Sequence, residues 1–295
     1  MIKLALGASP DRLRAVLGDA AREIENVRGS TQAEYAIGLY NAYLEWASHQ
    51  VRLMAGLLPD EEIDRLITTR RYWTLLSLEP SAVTERTLRL LVDGEISQRI
   101  EYLKAVQEGI TADLERWDSG AAVAVVLDTG VWLRHHENIA EVDWNTVLNI
   151  RHDVPLVITV PTKVIDELDG HKRNRQQVAK GQLSIRNRAG KALRFLELQF
   201  RAPGHRPKLS AGSIASTAPS SALYLGLIPQ ELSHSSLPDA DLEIIDRALT
   251  TSPYAKSVHV VTTDYGMVFR ARQSGLDVTR VDDFEEALEK PTDGE

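Results

Sequence analysis

The chain has no cysteine, so disulfides, thiolate zinc sites and a cysteine nucleophile are all excluded. It has no apolar run approaching the roughly 18 residues that a membrane-spanning helix needs. Its first residues, MIKLALGASPDRLRAV, lack the pattern of a signal peptide, with charge returning by Asp11. These absences lead us to expect a cytoplasmic protein with no membrane partner. There is no excess of positive charge either. With 34 basic and 42 acidic side chains the net charge is −8, which argues against a protein that coats nucleic acid over its whole surface. No internal repeat is visible.

What is present suits an ordinary globular protein of 295 residues, long enough for two domains. Residues 1–118 predict an all-helical domain. Leu13, Val16, Leu17, Ala20, Ala21 and Ile24 recur at helical spacing after a Ser9-Pro10 start. A second helix is expected over 31–58, with Thr31 and Glu34 spaced as a capping box. A third should run from about Asp60 through RLITTRRYWTLL. From Ser81 to Trp117 there is no proline, and Ile96, Ile100, Leu103, Val106, Ile110 and Leu114 form one stripe, with a break expected near Asp93-Gly94. That stripe would be a packing seam, either within this domain or between subunits of a homo-oligomer.

The texture changes at Asp118-Ser119-Gly120, and residues 119–295 form the second expected domain. AAVAVVL (121–127), PLVITV (155–160) and SVHVVTT (257–263) are short continuous apolar runs, as strands buried on both faces should be. Helical patterns lie between them at about 139–151, 162–200 and 240–250. ALYLGLI (222–228) is a candidate strand, 265–274 a further helix, and DVTRV (277–281) a short strand. Residues 202–221, rich in Pro, Ser, Ala and Gly, read as a loop, and the tail after Glu289 as frayed. The alternation predicts an α/β domain with a mainly parallel sheet.

In such sheets ligands bind beyond the carboxyl ends of the strands, and the residues expected there are acids. Asp128 follows the first apolar run and Asp264 the third. Glu167 lies one helical turn or so past the second, and Asp239 and Asp241 open the 240–250 helix. Carboxylates gathered without partners repel and take up protons, and a hard, oxygen-preferring dication, Mg²⁺ or Mn²⁺, is the usual remedy. Each acid has a plainer reading as well. Asp241 or Asp264 could be a helix N-cap, and Glu167 a solvated helix residue.

Taken in order, VVLDTGVWL, VPTKVIDELDGHK, DADLEIIDRAL and VVTTDYGMVFRARQSGLDV resemble the PIN-domain nucleases over about residues 121–283. The resemblance implies a Rossmann-like parallel sheet and a metal-dependent ribonuclease site. Asp128, Glu167, Asp241 and Asp264 match the four family acids, and Asp239 is an extra candidate ligand. The implied reaction is hydrolysis of RNA phosphodiesters with Mg²⁺ or Mn²⁺, leaving 5′-phosphate and 3′-hydroxyl ends, and the implied partner is single-stranded RNA. The first motif reads Asp-Thr-Gly where many relatives have Asn third, so a polar side chain is missing at Gly130. Asp-Thr-Gly also occurs in aspartic proteases, but these need two carboxylates sharing a proton on β-rich lobes, and the motif occurs once here in an α/β setting. The alternatives to a ribonuclease are an RNA-binding or scaffold protein with a weak or dead site and a DNA-directed or structure-specific nuclease.

Directly after Glu167, residues 171–194 carry eight basic side chains and no acid. Lys172, Arg173, Arg175, Arg186 and Arg188 are candidate nucleic-acid contacts, the alternative being a solvated helix face. His171 and Lys172 stand nearest the acids in sequence. Tyr265 and Trp132, each beside a motif acid, are candidates for base stacking or for the core. His135-His136 reads as surface loop, since adjacent residues do not share a face.

Overall fold

The computed structural model describes residues 1–5, 7–117, 120–135, 137, 139–173, 184–202, 206–210, 222–228 and 234–281. The chain divides into two compact units, Met1–Arg116 and Trp117–Glu295. The expected boundary residues Asp118 and Ser119 lie outside the described residues, as does the tail after Glu289.

The first unit is helical throughout. α1 (Pro10–Gly29) starts as the sequence suggests, with the Ser9 hydroxyl accepting the Arg12 N–H, and it buries Leu13, Leu17, Ala20, Ala21 and Ile24. The second helix differs from expectation. Thr31–Glu34 form a 3₁₀ turn, and α2 (Ala36–Met54) begins only after it. A distant carboxylate serves that terminus: Glu85 Oε1 accepts the Ala36 N–H at 3.2 Å. The third helix is two, α3 (Asp60–Leu66) and α4 (Arg70–Leu76). Arg99 donates to the carbonyls of Arg65 and Leu66 at 3.2 and 2.9 Å, satisfying groups that the end of α3 exposes. Thr69 then caps α4 and donates to Glu95 Oε1 at 3.1 Å.

α5 (Glu85–Arg116) runs unbroken through Gly94, contrary to the expected break. A helix-interior glycine costs about 1 kcal/mol relative to alanine. Burial of Val92, Ile96, Leu103 and Ile110 on either side is worth roughly 1.5–3 kcal/mol each and outweighs it. Of the stripe, Ile96, Leu103, Ile110 and Leu114 are buried in the unit's own core, where α5 packs on α1 and α2, while Ile100 and Val106 are partly exposed.

The second unit holds a six-stranded sheet. Its strands are β1 (Val123–Leu127), β2 (Leu156–Val160), β3 (Lys208–Ser210), β4 (Leu223–Leu227), β5 (Val258–Thr262) and β6 (Asp277–Arg280), in the order β3-β4-β2-β1-β5-β6. All pairings are parallel except β3 with β4. This is the expected α/β architecture. β3 falls inside the stretch read as loop, of which residues 203–205 and 211–221 lie outside the described residues.

Around the sheet lie α6 (Thr129–His135), α7 (Trp144–Val147), α8 (Thr162–Arg173), α9 (Ile185–Gln199), α10 (Ala240–Thr251) and α11 (Tyr265–Gln273). The helix expected over 139–151 shrinks to the single turn of α7, and α6 ends on His135, expected as surface loop. From β1 the chain moves toward β2, and from β5 toward β6 on the other side. Neighbouring strands whose connections leave in opposite directions open a crevice at their carboxyl ends. Asp128 and Asp264 stand at the two lips of that crevice.

Candidate active site

Asp128 directly follows β1, and it is buried. Its backbone N–H still belongs to the sheet, donating to the Val261 carbonyl at 3.0 Å. Its carboxylate collects donors from both lips: the Val131 N–H at 2.8 Å, the Thr263 N–H at 3.1 Å, and the Thr262 hydroxyl. Burial pushes this acid above the usual aspartate range, and the hydrogen bonds from Thr262, Val131, Thr263 and Gly130 oppose that shift.

Gly130 sits tight against this arrangement. A Cβ there would lie 2.3 Å from Thr263 Oγ1 and 3.2 Å from Asp128 Oδ1. The Thr263 hydroxyl thus fills the space over the glycine that a side chain would otherwise claim.

Glu167 projects from α8 and is half-buried, its Oε2 accepting the Thr129 hydroxyl at 2.6 Å. Consecutive residues Asp128 and Thr129 therefore link the β5 and α8 sides of the crevice. Asp264 is the N-cap of α11, accepting the Gly266 and Met267 N–H groups. The N-cap of α10 is Asp239, which accepts the Leu242 N–H at 3.1 Å. Asp241 lies in the first turn instead and leaves its carboxylate uncapped. The entry to α10 is tied down by buried Glu243, which accepts the Leu237 N–H at 2.8 Å and contacts His234 Nε2 at 2.8 Å.

Asp241 reports how close these acids stand. Its carboxyl is raised first by burial, then by the charges of Asp239 and Asp264, with a smaller push from Glu167; the Arg270 guanidinium works against them. Four acids, from α8, α10 and its cap and the α11 cap, therefore share one electrostatic neighbourhood. Arg270 Nη1 lies 3.1 Å from Asp241 Oδ2 and 3.3 Å from both Asp239 oxygens. Each acid is engaged by a protein donor, and among the described residues no three carboxylates are close enough to ring one ion. The donor set is oxygen only, carboxylates with the hydroxyls of Thr129 and Thr262, which fits a hard dication rather than a soft one.

The sequence matches the PIN domain over residues 125–282, a little over half of the chain. The chain belongs to the PIN domain family. No curated protein matches it. PIN domains are generally nucleases and typically use divalent metal ions, which agrees with an oxygen-lined crevice at the carboxyl edge of a parallel sheet. Among the described residues no helix of this PIN-domain protein is long and apolar enough to cross a membrane.

Other expected site residues divide. Lys172 and Arg173 end α8, and Arg186 and Arg188 lie in the first turn of α9. Lys172 and Arg186 are exposed, while Arg173 pairs with Asp169 on its own helix. Arg175 and Lys180 lie outside the described residues, as does His136. Trp132 is wholly buried, its ring centroid 6.3 Å from that of Phe195, so it is core and cannot stack on a base. Tyr265 is 62% exposed.

Thr129, Thr262, Thr263 and Arg270 escaped the sequence reading. Thr129 and Thr263 adjoin motif acids, but hydroxyls beside an Asp are too common to single out, and Thr262 is one residue further off. Arg270 lies 29 positions from Asp241, and only the packing of α11 beside α10 joins them.

Proposed function

We propose that the protein is a metal-dependent endoribonuclease that hydrolyses phosphodiester bonds of single-stranded RNA. Mg²⁺ or Mn²⁺ would be held by Asp128, Glu167, Asp241 and Asp264, with Asp239 alongside. The observation that carries this reading is the placing of the PIN-domain acids at the carboxyl edge of the sheet, where Arg270 Nη1 lies within 3.3 Å of both Asp239 and Asp241. Like charges gathered at a ligand-binding edge are costly unless a cation joins them.

When bound, the dication would supply Lewis acidity and an activated water for in-line attack at phosphorus. The chain's own residues do the rest. Thr262, Val131 and Thr263 fix the Asp128 carboxylate, so its ionised form is oriented although burial disfavours it. The Thr129 hydroxyl aims Glu167. Arg270 balances Asp239 and Asp241 and, on release, could meet a phosphate. Lys172, Arg186 and Arg188 supply positive charge near the end of α8 and the start of α9, which supports approach of a polyanion to an otherwise acidic chain.

The deciding experiment incubates end-labelled single-stranded RNA and DNA of one sequence with the protein in Mn²⁺, Mg²⁺ or EDTA. We expect internal RNA cleavage with either metal and none in EDTA. Metal-independent cleavage would overturn the metal site. Cleavage of DNA alone would transfer the assignment to a DNA nuclease, and binding without cleavage would make the protein a scaffold.

A further inference from the structure

α11 begins at the acid cluster with Asp264 and then presents two rings to solvent. Tyr265 is 62% and Phe269 68% exposed, although large apolar side chains are normally the first to be buried. They are four residues apart, and Arg272 follows three residues later, so the three lie along one face of the helix. A fourth side chain comes from the neighbouring strand. Arg280, the last residue of β6, places its guanidinium carbon 4.2 Å from the Tyr265 ring centroid. Arg280 is the register partner of Thr262, whose hydroxyl binds Asp128. One strand spacing, about 4.8 Å, therefore separates the backbone of Arg280 from that of Thr262 on β5, and β1, which Asp128 follows, is the next strand beyond.

We propose that the Tyr265–Phe269 face, flanked by Arg272 and Arg280, is a stacking platform for unpaired bases of a single-stranded nucleic acid beside the acidic crevice. A nucleic acid suits the face better than an apolar protein partner, because the rings are framed by two cations. The Arg280 guanidinium already holds the Tyr265 ring, which lowers the ordering needed to receive a base. Arg272, exposed on the same helix face, supplies positive charge for the phosphates flanking a stacked base. Paired bases present no free face, so a duplex gains nothing from the rings. The platform thus deepens the nuclease reading, on which it rests, by specifying a substrate with splayed-out bases.

The test uses the full-length protein in EDTA, so that binding is read without cleavage. Fluorescence anisotropy compares a fluorescein-labelled single-stranded oligoribonucleotide with the same strand in a duplex. 2-Aminopurine placed in the single strand reports stacking directly. We expect the single strand to bind more tightly than the duplex and 2-aminopurine to be quenched. Tyr265→Leu and Phe269→Leu should each weaken single-strand binding about fivefold to a hundredfold and lose quenching, while Tyr265→Trp retains both. Circular dichroism and Tm should stay at the parent values, because both rings are exposed.

Equal binding by the leucine variants, or equal affinity for the duplex, would overturn the platform. So would a change in sedimentation of the protein alone with RNA binding intact, which would mark the face as a protein contact. Cleavage in Mn²⁺ is scored separately. If it is absent while the leucine variants still lose binding and quenching, the nuclease reading fails and the platform stands.

Discussion

Arg270 Nη1 lies 3.1 Å from Asp241 Oδ2, so the cation inside the acid cluster is one of the protein's own side chains. A metal entering between Asp241 and Asp239 must displace it or share the carboxylates with it. Two unit charges about 4 Å apart interact by roughly 1–4 kcal/mol near a protein surface, enough to matter for a weak metal site. Arg270→Gln should therefore tighten Mn²⁺ binding several-fold in calorimetric titration and lower Tm slightly without metal. Unchanged or weaker Mn²⁺ affinity would show that Arg270 does not compete for these acids.

Asp128→Asn should reduce metal-dependent cleavage by at least about a hundredfold, the scale on which removing one preorganised electrostatic group acts. An amide is nearly the same size but carries no charge for a dication. The far-ultraviolet dichroism should match the parent, since the β1 backbone bond of residue 128 to Val261 is untouched. Parent-level cleavage by pure variant protein would remove Asp128 from the site.

Asp241 gives a pH signature. Its folded-state pKa is raised by burial and by Asp239, Asp264 and Glu167, so the folded protein favours the protonated form more than the unfolded chain does. Stability from this group is full below the ordinary aspartate pKa, near 3.9, and is lost as pH rises through the folded value. Asp241→Asn should thus raise stability at pH 7 in EDTA, by about 0.5 kcal/mol because the group is partly exposed and screened. The gain should vanish near pH 3.5. A variant equally stabilised at both pH values, or destabilised at pH 7, contradicts the crowding.

Gly130→Ala should destabilise the protein by about 1–3 kcal/mol, because the new Cβ would meet the Thr263 hydroxyl at 2.3 Å. In a Thr263→Ala background that obstacle is gone, and the same change should become neutral or favourable through helix propensity at the start of α6. Denaturant melts of the four proteins give the coupling. Additive effects would mean that Thr263 is not what keeps position 130 bare.

Much of this was legible locally. The apolar runs at 121–127, 155–160 and 257–263 became β1, β2 and β5, because strands buried on both faces need no partner pattern to identify them. The Ser9-Pro10 start of α1 is likewise a one-turn signal. Other local signals misled. Gly94 and the Thr31–Glu34 spacing are breaker and start signs worth about 1 kcal/mol each, and tertiary burial overrode them in α5 and α2. The antiparallel edge strand β3 carries too little apolar pattern in three residues to announce itself.

The sequence by itself determined which acids follow which strands, because order along the chain and a parallel sheet suffice to send Asp128 and Asp264 to one edge. Only the tertiary structure decided what each acid does there. Thr262 reaches Asp128 across 134 positions, Thr129 reaches Glu167 across 38, and Arg270 reaches Asp241 across 29. It also sent Trp132 into the core and left Tyr265 in solvent, though each lies close to a motif acid. Hydropathy and helical spacing register neighbours within a turn or a strand; the pairing of β1 with β5 and the docking of α10 and α11 are set by long-range packing, which no local period encodes.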